Sequence, residues 1–360
     1  MNNTVIEVQN LVKYFPVRTG VIVGRTIGNV KAVDDISFGV SQGETFALVG
    51  ESGCGKTTVA NLILKLLDPT SGDILFQGKS LNKASSAEIR QYRRSVQAVL
   101  QDPYGALNPR MRVGHIIAEP LEVHGYSRSE RKRLVQEALR AVGLPETSET
   151  QFPHEFSGGQ RQRIGVARAL TLEPALIILD EPVSNLDVSI RSQVLNLLKD
   201  LQEQRGISFI LISHDLASVE HMSHRIGVMY LGKLVELGSA QQICDDPAHP
   251  YAASLVAAST PPNRTPPWQI PIIGEVPSAM DTPSGCPFHP RCVYAMPTCM
   301  EVTPSLTQLP DGRTVACHLY PDHIGSIDKH AELPAARLFE PETEDGGTEA
   351  APLESGLPRS

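Results

Sequence analysis

One stretch of eight residues limits the folds open to this chain more than any other feature. Residues 50–57 read Gly-Glu-Ser-Gly-Cys-Gly-Lys-Thr and match the pattern G-x-x-x-x-G-K-[ST]. A strand-like run ends at Val49 and a helical pattern begins at Lys56. In this setting backbone N–H groups and the helix N-terminus converge on phosphate oxygens, the lysine adds a positive charge and the threonine hydroxyl ligates Mg²⁺. The stretch therefore predicts a phosphate-binding loop in an α/β domain.

The first two thirds of the chain agree with that fold class, because strand-like runs alternate with helical patterns from residue 4 to about 237. The strand-like runs are 5–8, 32–40, 44–49, 74–77, 96–101, 176–179, 208–212, 225–230 and 233–236. The helical patterns are 56–67, 128–142, 159–172, 190–204 and 216–222. The early strands alternate between apolar and polar residues, which indicates an antiparallel β subdomain, whereas 176–179 and 208–212 are continuously apolar, which indicates parallel strands covered on both faces.

These patterns divide the chain into three segments. A domain over 1–240 is predicted to combine a mixed sheet core and the antiparallel β subdomain with a helical subdomain at about 113–172, where strand signals stop. Closely spaced prolines beyond Gly238 are expected to rule out long regular elements, which predicts a small irregular extension rich in Cys and Pro over 241–323. The polar, acidic residues 324–360 are predicted to form a disordered tail.

Composition narrows the classes of partner. Asp and Glu number 40 against 32 Lys and Arg, and this net charge of -8 argues against nucleic acid, which a basic surface would bind. No run of about 18 apolar residues occurs, so no membrane-spanning helix is expected. The first residues lack a basic segment followed by an apolar one, so no secretory signal is expected either. The predicted compartment is the cytoplasm.

Polar residues also follow two of the apolar strand-like runs. Asp180 and Glu181 come directly after 176–179, where Asp180 can hold Mg²⁺ through its water shell and Glu181 can orient or deprotonate an attacking water. His214 follows 208–212. Because ligands bind at the carboxyl ends of parallel strands, His214 can donate a hydrogen bond to a terminal phosphate.

Residues 156–163 read Phe-Ser-Gly-Gly-Gln-Arg-Gln-Arg and resemble the signature of ABC transporter ATPases. The motifs also follow in the order of that family: the phosphate loop, Gln101, a helical insertion, the signature, Asp180-Glu181, Asp187 and His214. Residues 157–159 open a helix and so offer a hydroxyl, backbone N–H groups and a helix dipole to a phosphate. The resemblance covers residues 4–238, and it implies that each ATP lies between the phosphate loop of one subunit and the signature of another.

The resemblance also assigns roles to single residues. It implies that Glu181 is the catalytic carboxylate, that His214 is the switch on the γ-phosphate and that Lys56 acts with them. The residues implied to contact ATP are Phe15, Gly50, Ser52, Gly53, Cys54, Gly55, Lys56, Thr57, Thr58, Gln101, Ser157, Gly158, Gly159, Gln160, Asp180 and Asp187. The residues implied to hold Mg²⁺ are Thr57, Gln101 and Asp180. Cys54 stands at a variable position of the loop, and Tyr14 is the alternative to Phe15 as the aromatic on adenine, next to an expected long loop over 16–30.

The runs 101–110 and 114–121 resemble the ATPases of oligopeptide and dipeptide importers, a group that includes nickel importers. This implies an ATPase that energises import, bound peripherally at the cytoplasmic face of the plasma membrane. The implied partners are a second ABC ATPase subunit, identical or a paralogue, two membrane permeases and an external peptide-binding protein. The alternatives are nickel or another small solute as cargo, or a soluble ABC ATPase acting on nucleic acid or ribosomes. A single phosphate loop and the lack of sustained heptads count against the soluble class.

The extension contains four closely spaced cysteines, Cys286, Cys292, Cys299 and Cys317, in the pattern C-x5-C-x6-C-x17-C. Four thiols in an irregular segment can close a tetrahedral Zn²⁺ site or hold an iron–sulfur cluster. The spacing resembles the C-terminal extension of peptide-importer ATPases, some of which carry a four-iron cluster. We therefore favour a [4Fe-4S] cluster over Zn²⁺, with reduced structural cysteines as the alternative.

Overall fold

The computed structural model describes residues 3–19, 25–259 and 272–320. Its strands are β1 (Thr4–Thr19), β2 (Arg25–Ser41), β3 (Thr45–Val49), β4 (Ser71–Phe76), β5 (Lys79–Ser80), β6 (Val96–Val99), β7 (Leu176–Asp180), β8 (Ser208–Ile212), β9 (Arg225–Tyr230), β10 (Lys233–Ser239), β11 (Thr307–Gln308) and β12 (Thr314–Val315). Its α-helices are α1 (Lys56–Ile63), α2 (Ser86–Ser95), α3 (Pro103–Ala106), α4 (Val113–Val123), α5 (Arg128–Ala141), α6 (Gly158–Leu170), α7 (Val188–Arg205), α8 (Leu216–Met222), α9 (Ala240–Asp245), α10 (Pro250–Ser259) and α11 (Pro297–Glu301).

The larger sheet positions the candidate site. Within the described ranges its strand order is β11-β12-β10-β9-β3-β8-β7-β6. β6, β7, β8, β3 and β9 pair in parallel, and the strands beyond β9 pair antiparallel. Because parallel strands end at the same edge of a sheet, the segments that follow β3, β6, β7 and β8 meet at that edge.

Apolar side chains cover both faces of this sheet. Along β7, Ile177 and Leu179 belong to one apolar cluster, which includes residues of α4, α5, α6 and α7. Leu176 and Ile178 belong to a second cluster, which includes residues of α1 and β1. The continuously apolar run therefore packs on both faces, which confirms the prediction of covered parallel strands.

The smaller sheet is antiparallel, in the order β2-β1-β4-β5. β1 and β2 are 16 and 17 residues long, and their pairing includes Phe15 with Val30 and Val17 with Gly28. The expectation of a long loop over 16–30 is therefore wrong for the described part, because cross-strand pairing continues to Thr19 and resumes at Arg25. Residues 20–24 lie outside the described ranges.

The helices include one that the sequence pattern missed. In the predicted helical subdomain α4, α5 and α6 pack against one another. Helix α2 precedes it, and because Tyr92 is the residue that α2 buries, its sequence has no apolar period. A local signal existed, since Ser85 and Glu88 form a reciprocal capping box at its start. In the described part of the chain, no helix is both long and apolar enough to cross a membrane.

The segment after residue 240 is more regular than its prolines suggest. Helix α10 spans ten residues, so the expectation that prolines exclude long elements is wrong there. Its proline, Pro250, is the first helical residue, where a missing N–H breaks no helical hydrogen bond. Strands β12 and β11 extend the larger sheet by pairing with β10. The predicted tail at 324–360 lies outside the described residues, and the proposed domain boundaries stay a prediction.

Candidate nucleotide-binding and catalytic site

The phosphate loop connects the end of β3 to the start of α1. Gly50 and Gly55 have φ angles of +152° and +112°, which L side chains rarely adopt. A Cβ atom on Gly50 would lie 2.2 Å from the carbonyl oxygen of Met229, and one on Gly55 would lie 2.1 Å from that of Ala32. Glycine is therefore required at both positions. Gly55 is also the N-cap of α1 without a side-chain cap, so the first N–H groups of α1 are available to an anion.

Lys56 lies inside this loop and is buried. Its Nζ donates hydrogen bonds to the carbonyl oxygens of Gly50 at 2.7 Å and Glu51 at 2.9 Å. The Sγ atom of Cys54 lies 3.5 Å from the same nitrogen. The loop backbone therefore fixes the one cation at its centre. The loop residues that face solvent are Ser52, Gly53 and Thr57, with Thr58 half-buried behind them.

Glu181 lies between two partners at the same edge of the sheet. Gln101 donates a hydrogen bond from Nε2 to Glu181 Oε2 at 2.7 Å, and His214 Nδ1 lies 3.0 Å from Oε1. These residues follow β6, β7 and β8, so the parallel order of the strands brings them together. Glu181 has a φ of +45°, an unusual value for a non-glycine residue and one that is common at functional sites. One fifth or less of its side chain is exposed, whereas His214 is largely exposed.

Asp180 stands beside Glu181 and is half-buried. Burial raises the pKa of its carboxyl group, the negative charge of Glu181 raises it further, and the positive charge of Lys56 lowers it. The two adjacent carboxylates and the threonine hydroxyls of α1 are hard oxygen donors, which suit Mg²⁺. The chemistry of the donors therefore fits a magnesium–phosphate complex at this edge.

The signature lies at the start of α6. Ser157 is the N-cap, and its side chain and that of Gln160 form a reciprocal capping box. A Cβ atom on Gly159 would lie 2.2 Å from Cγ2 of Ile190 on α7, so the close packing of α6 on α7 requires glycine there. Ser157 and Gln160 are exposed, as is Asp187, the N-cap of α7. The prediction that this segment opens a helix is confirmed.

Comparison with known proteins decides the family. A model described as ABC transporter matches residues 33–184, and one described as oligopeptide/dipeptide transporter, C-terminal region, matches residues 235–299. The probable peptide ABC transporter ATP-binding protein y4tS of Sinorhizobium fredii is 48% identical over 89% of this chain and 91% of its own length. The oligopeptide transport ATP-binding protein AppF of Bacillus subtilis is 47% identical over 88% of this chain and 98% of its own. This chain belongs to the ABC transporter ATP-binding proteins.

The fold supports the same conclusion. A dimeric, post-hydrolysis structure of the ATP-binding cassette MJ0796 with ADP and Pi aligns with a TM-score of 0.57 at 26% identity. The alignment covers 65% of this chain and 98% of that one. The predicted family, fold class and ATPase activity are therefore confirmed for this ATP-binding protein, and a soluble enzyme of nucleic acid or ribosomes is not favoured. ATP is the nucleotide expected at the site, with Mg²⁺.

The two aromatic candidates for adenine differ in what they contact. The Tyr14 hydroxyl donates to Asp34 Oδ1, and burial and this negative partner raise the pKa of Tyr14 to about 12. Phe15 is half-buried, and Lys13 Nζ lies 5.2 Å from the centre of its ring. The side chain of Tyr14 is therefore held by a hydrogen bond within the domain, whereas the side chain of Phe15 is not.

The metal prediction for the extension of the ATP-binding protein has no support in the structure. Burial is the main cause that raises the pKa of Cys317 to about 12, and the nearby Cys292, Cys286 and Cys299 also raise it. The four thiols therefore lie close together. However, the described ranges contain no group of three or more His, Cys, Asp or Glu side chains that could hold a metal ion. The four cysteines are free thiols in the structure, and burial raises the pKa of Cys292 to about 12. The expectation of an iron–sulfur or zinc site is therefore not carried further.

Sequence reasoning missed the contacts between the extension and the phosphate loop. Arg291 pairs with Glu51 through both guanidinium nitrogens, at 2.7 and 3.0 Å. The hydroxyl of Tyr251 accepts a hydrogen bond from the backbone N–H of Glu51 at 2.8 Å. These partners lie 200 and 240 residues from Glu51 in the sequence, and no spacing or motif signals them.

Proposed function

We propose that this chain binds and hydrolyses ATP to energise an importer of oligopeptides or dipeptides. The observation that carries the ATPase part is the placement of Glu181 between Gln101 and His214 at the edge where the phosphate loop begins. The cargo class is supported by the match of residues 235–299 to the C-terminal region of oligopeptide/dipeptide transporters and by relatives named for peptide transport. No observation favours nickel over peptides.

The proposed reaction uses the residues of this edge in distinct roles. The loop N–H groups and Lys56 bind the β- and γ-phosphates and offset their charge. Glu181 accepts a proton from water while the water oxygen bonds to the γ-phosphorus and the bond from that phosphorus to the bridging oxygen of ADP breaks. Gln101 and His214 hold the carboxylate of Glu181 from both sides, and His214 turns to the γ-phosphate when ATP is bound.

Mg²⁺ is the metal that we propose for this site. The Thr57 hydroxyl, the Asp180 carboxylate and the Gln101 side chain would hold it. When bound, it offsets the charge of the β- and γ-phosphates.

We propose Phe15 rather than Tyr14 as the residue that stacks on adenine. The Tyr14 hydroxyl is held by Asp34 within the domain, and the Phe15 ring is partly open. An aromatic face partly open to solvent is suited to stack on a nucleobase.

The proposed partners follow from the exposed signature. Ser157, Gly158 and Gly159 present a helix N-terminus that would complete the ATP site of a second ABC ATPase subunit, as Asp187 would at the same interface. The segment after β6, which begins at Leu100 and Gln101, would form the groove that receives a coupling helix of one of the two membrane permeases, and an external binding protein would deliver the peptide to the permeases. With these partners the chain would be a peripheral subunit at the cytoplasmic face of the membrane.

Peptide uptake by cells that lack this chain tests the proposed cargo. The wild-type chain is expected to restore ATP-dependent uptake of a labelled tripeptide, and a Glu181→Gln chain is expected to leave it absent. Uptake of labelled nickel in the same cells is the matched comparison. Restored nickel uptake without peptide uptake would contradict the proposed cargo while leaving the ATPase assignment intact.

A further inference from the structure

The C-terminal extension holds the phosphate loop at one residue, Glu51. The guanidinium of Arg291 forms a bidentate ion pair with its carboxylate, at 2.7 and 3.0 Å. The hydroxyl of Tyr251 accepts its backbone N–H at 2.8 Å. Its carbonyl oxygen accepts a hydrogen bond from Lys56 at 2.9 Å. Every polar group of Glu51 is therefore engaged, and two of its partners belong to the extension.

These contacts are built into packed structure. Arg291 is buried, its guanidinium carbon lies 5.8 Å from the ring centre of Tyr230, and Tyr230 is a residue of β9. Tyr230, Tyr251 and Phe288 are all fully buried, with ring centres 4.7 to 5.4 Å apart. A bidentate pair on such a support loses little side-chain freedom when it forms, and it fixes the orientation of the carboxylate.

The position of Glu51 also determines the position of the phosphate-binding lysine, Lys56. Glu51 follows Gly50 directly, and the carbonyl oxygens of both residues hold Lys56 Nζ. A shift of Glu51 would therefore move the lysine as well as the loop N–H groups that face phosphate. A site that is fixed before binding gives higher affinity, because less ordering remains to be done when the ligand arrives.

We propose that Arg291 and Tyr251 are positioning residues for ATP: they hold the phosphate loop through Glu51, so nucleotide affinity depends on the extension. The proposal rests on the nucleotide site described above and needs no assumption about the cargo. Both residues act through Glu51 and not by contact with the nucleotide. The extension thus supports the ATP site from behind the phosphate loop.

The test is the dissociation constant for ATP, measured by calorimetry on the full-length chain. Arg291→Ala is expected to weaken ATP binding about tenfold, the scale of one hydrogen-bonded charged contact. Arg291→Lys should recover part of that loss, because a lysine keeps the charge but lacks the bidentate geometry. In the hydrolysis assay the same change should appear in KM more than in kcat.

Arg313→Ala is the matched control. Arg313 is also a buried arginine of the extension, but its partners Asp311, Asp246 and Glu236 do not belong to the phosphate loop. Its loss should lower the unfolding temperature and leave the dissociation constant for ATP unchanged. A loss of ATP affinity in Arg313→Ala equal to that in Arg291→Ala would overturn the proposal, because a general loss of packing would then explain both.

Two further variants keep the proposal testable if Arg291→Ala does not fold. Tyr251→Phe removes only the hydroxyl that accepts the Glu51 N–H and should weaken ATP binding about threefold. Glu51→Ala combined with Arg291→Lys should bind ATP no more weakly than Glu51→Ala alone, since both changes act on one contact. Unchanged affinity in Tyr251→Phe, or additive losses in the double variant, would contradict the proposal. Failure of the wild-type chain to bind ATP would instead contradict the proposed function.

Discussion

The ATP-binding domain and the C-terminal extension differ in how their important residues come together. In the domain Gln101, Glu181 and His214 each follow a strand of one parallel sheet, so the order of the strands alone makes them neighbours. In the extension the cysteines that the sequence singles out form no metal site among the described residues. An arginine and a tyrosine without any motif contact the phosphate loop instead. Functional residues at the ends of parallel strands can be predicted from the sequence, whereas contacts made by an irregular segment cannot.

The contrast leads to different expectations for substitutions. Changes at the sheet edge should alter ATP handling while the fold persists, because these side chains are exposed or half-buried. Changes in the extension should alter stability, except at Arg291 and Tyr251, where they should alter ATP affinity as well.

Lys56→Ala should reduce ATP affinity at least about a hundredfold, because it removes the positive charge that the loop holds with two carbonyl oxygens. Calorimetric titration with ATP measures this. The unfolding temperature should not fall, since removing the lysine also removes its cost of burial. Retained affinity would mean that the loop does not bind phosphate through this residue.

His249 should make the extension sensitive to acid. It is fully buried, and this burial lowers its pKa to about 3, below the ordinary value of 6.5. The folded form therefore resists protonation while the unfolded form accepts a proton, so stability is intact above pH 6.5 and declines as the pH falls from there towards 3. By linkage the loss is roughly 2 kcal/mol at pH 5.

Urea unfolding of the wild type and of His249→Asn, at pH 7 and pH 5, isolates this effect. The asparagine oxygen can still accept the backbone N–H of Tyr251 that His249 Nδ1 accepts at 3.0 Å, but it does not titrate. The wild type should lose more stability between the two pH values than the variant. Equal losses would show that His249 is not the source.

Tyr320→Phe should give the smallest effect, a loss of about 1 kcal/mol in the free energy of unfolding. The hydroxyl of Tyr320 donates to the buried carbonyl oxygen of Ala248 at 3.1 Å, so the change removes this contact at the junction of the extension with the sheet. ATP affinity should stay as in the wild type. A weaker ATP affinity of Tyr320→Phe would contradict this prediction, because a residue of the extension without contact to Glu51 would then also affect ATP binding.

The sequence predicts features that depend on neighbouring residues better than contacts between residues far apart in the chain. The phosphate loop, the strand ends and the signature helix are local patterns, and the structure places them as expected. Helix α2 has no apolar pattern because it buries one residue, and α10 contains a proline, Pro250, that begins the helix and does not disrupt it. The pair of Glu51 and Arg291 joins residues 240 positions apart, which no local pattern can report.

The cysteines show the opposite error. Their spacing led to a ligand prediction, but spacing does not determine where side chains point or whether a thiolate is stable there. Burial raises the pKa of Cys292 to about 12 and also raises that of Cys286. The spacing therefore predicted that the four cysteines lie close together, but not whether they hold a metal ion.

We infer that this chain hydrolyses ATP through Glu181 at the carboxyl edge of the sheet. Parallel measurements of ATP binding and phosphate release by the wild type and by Glu181→Gln, in the assembled transporter, test it most directly. We expect phosphate release to fall at least about a hundredfold in the variant, within the range for general-base catalysis, while ATP still binds. Phosphate release at the wild-type rate would contradict the claim.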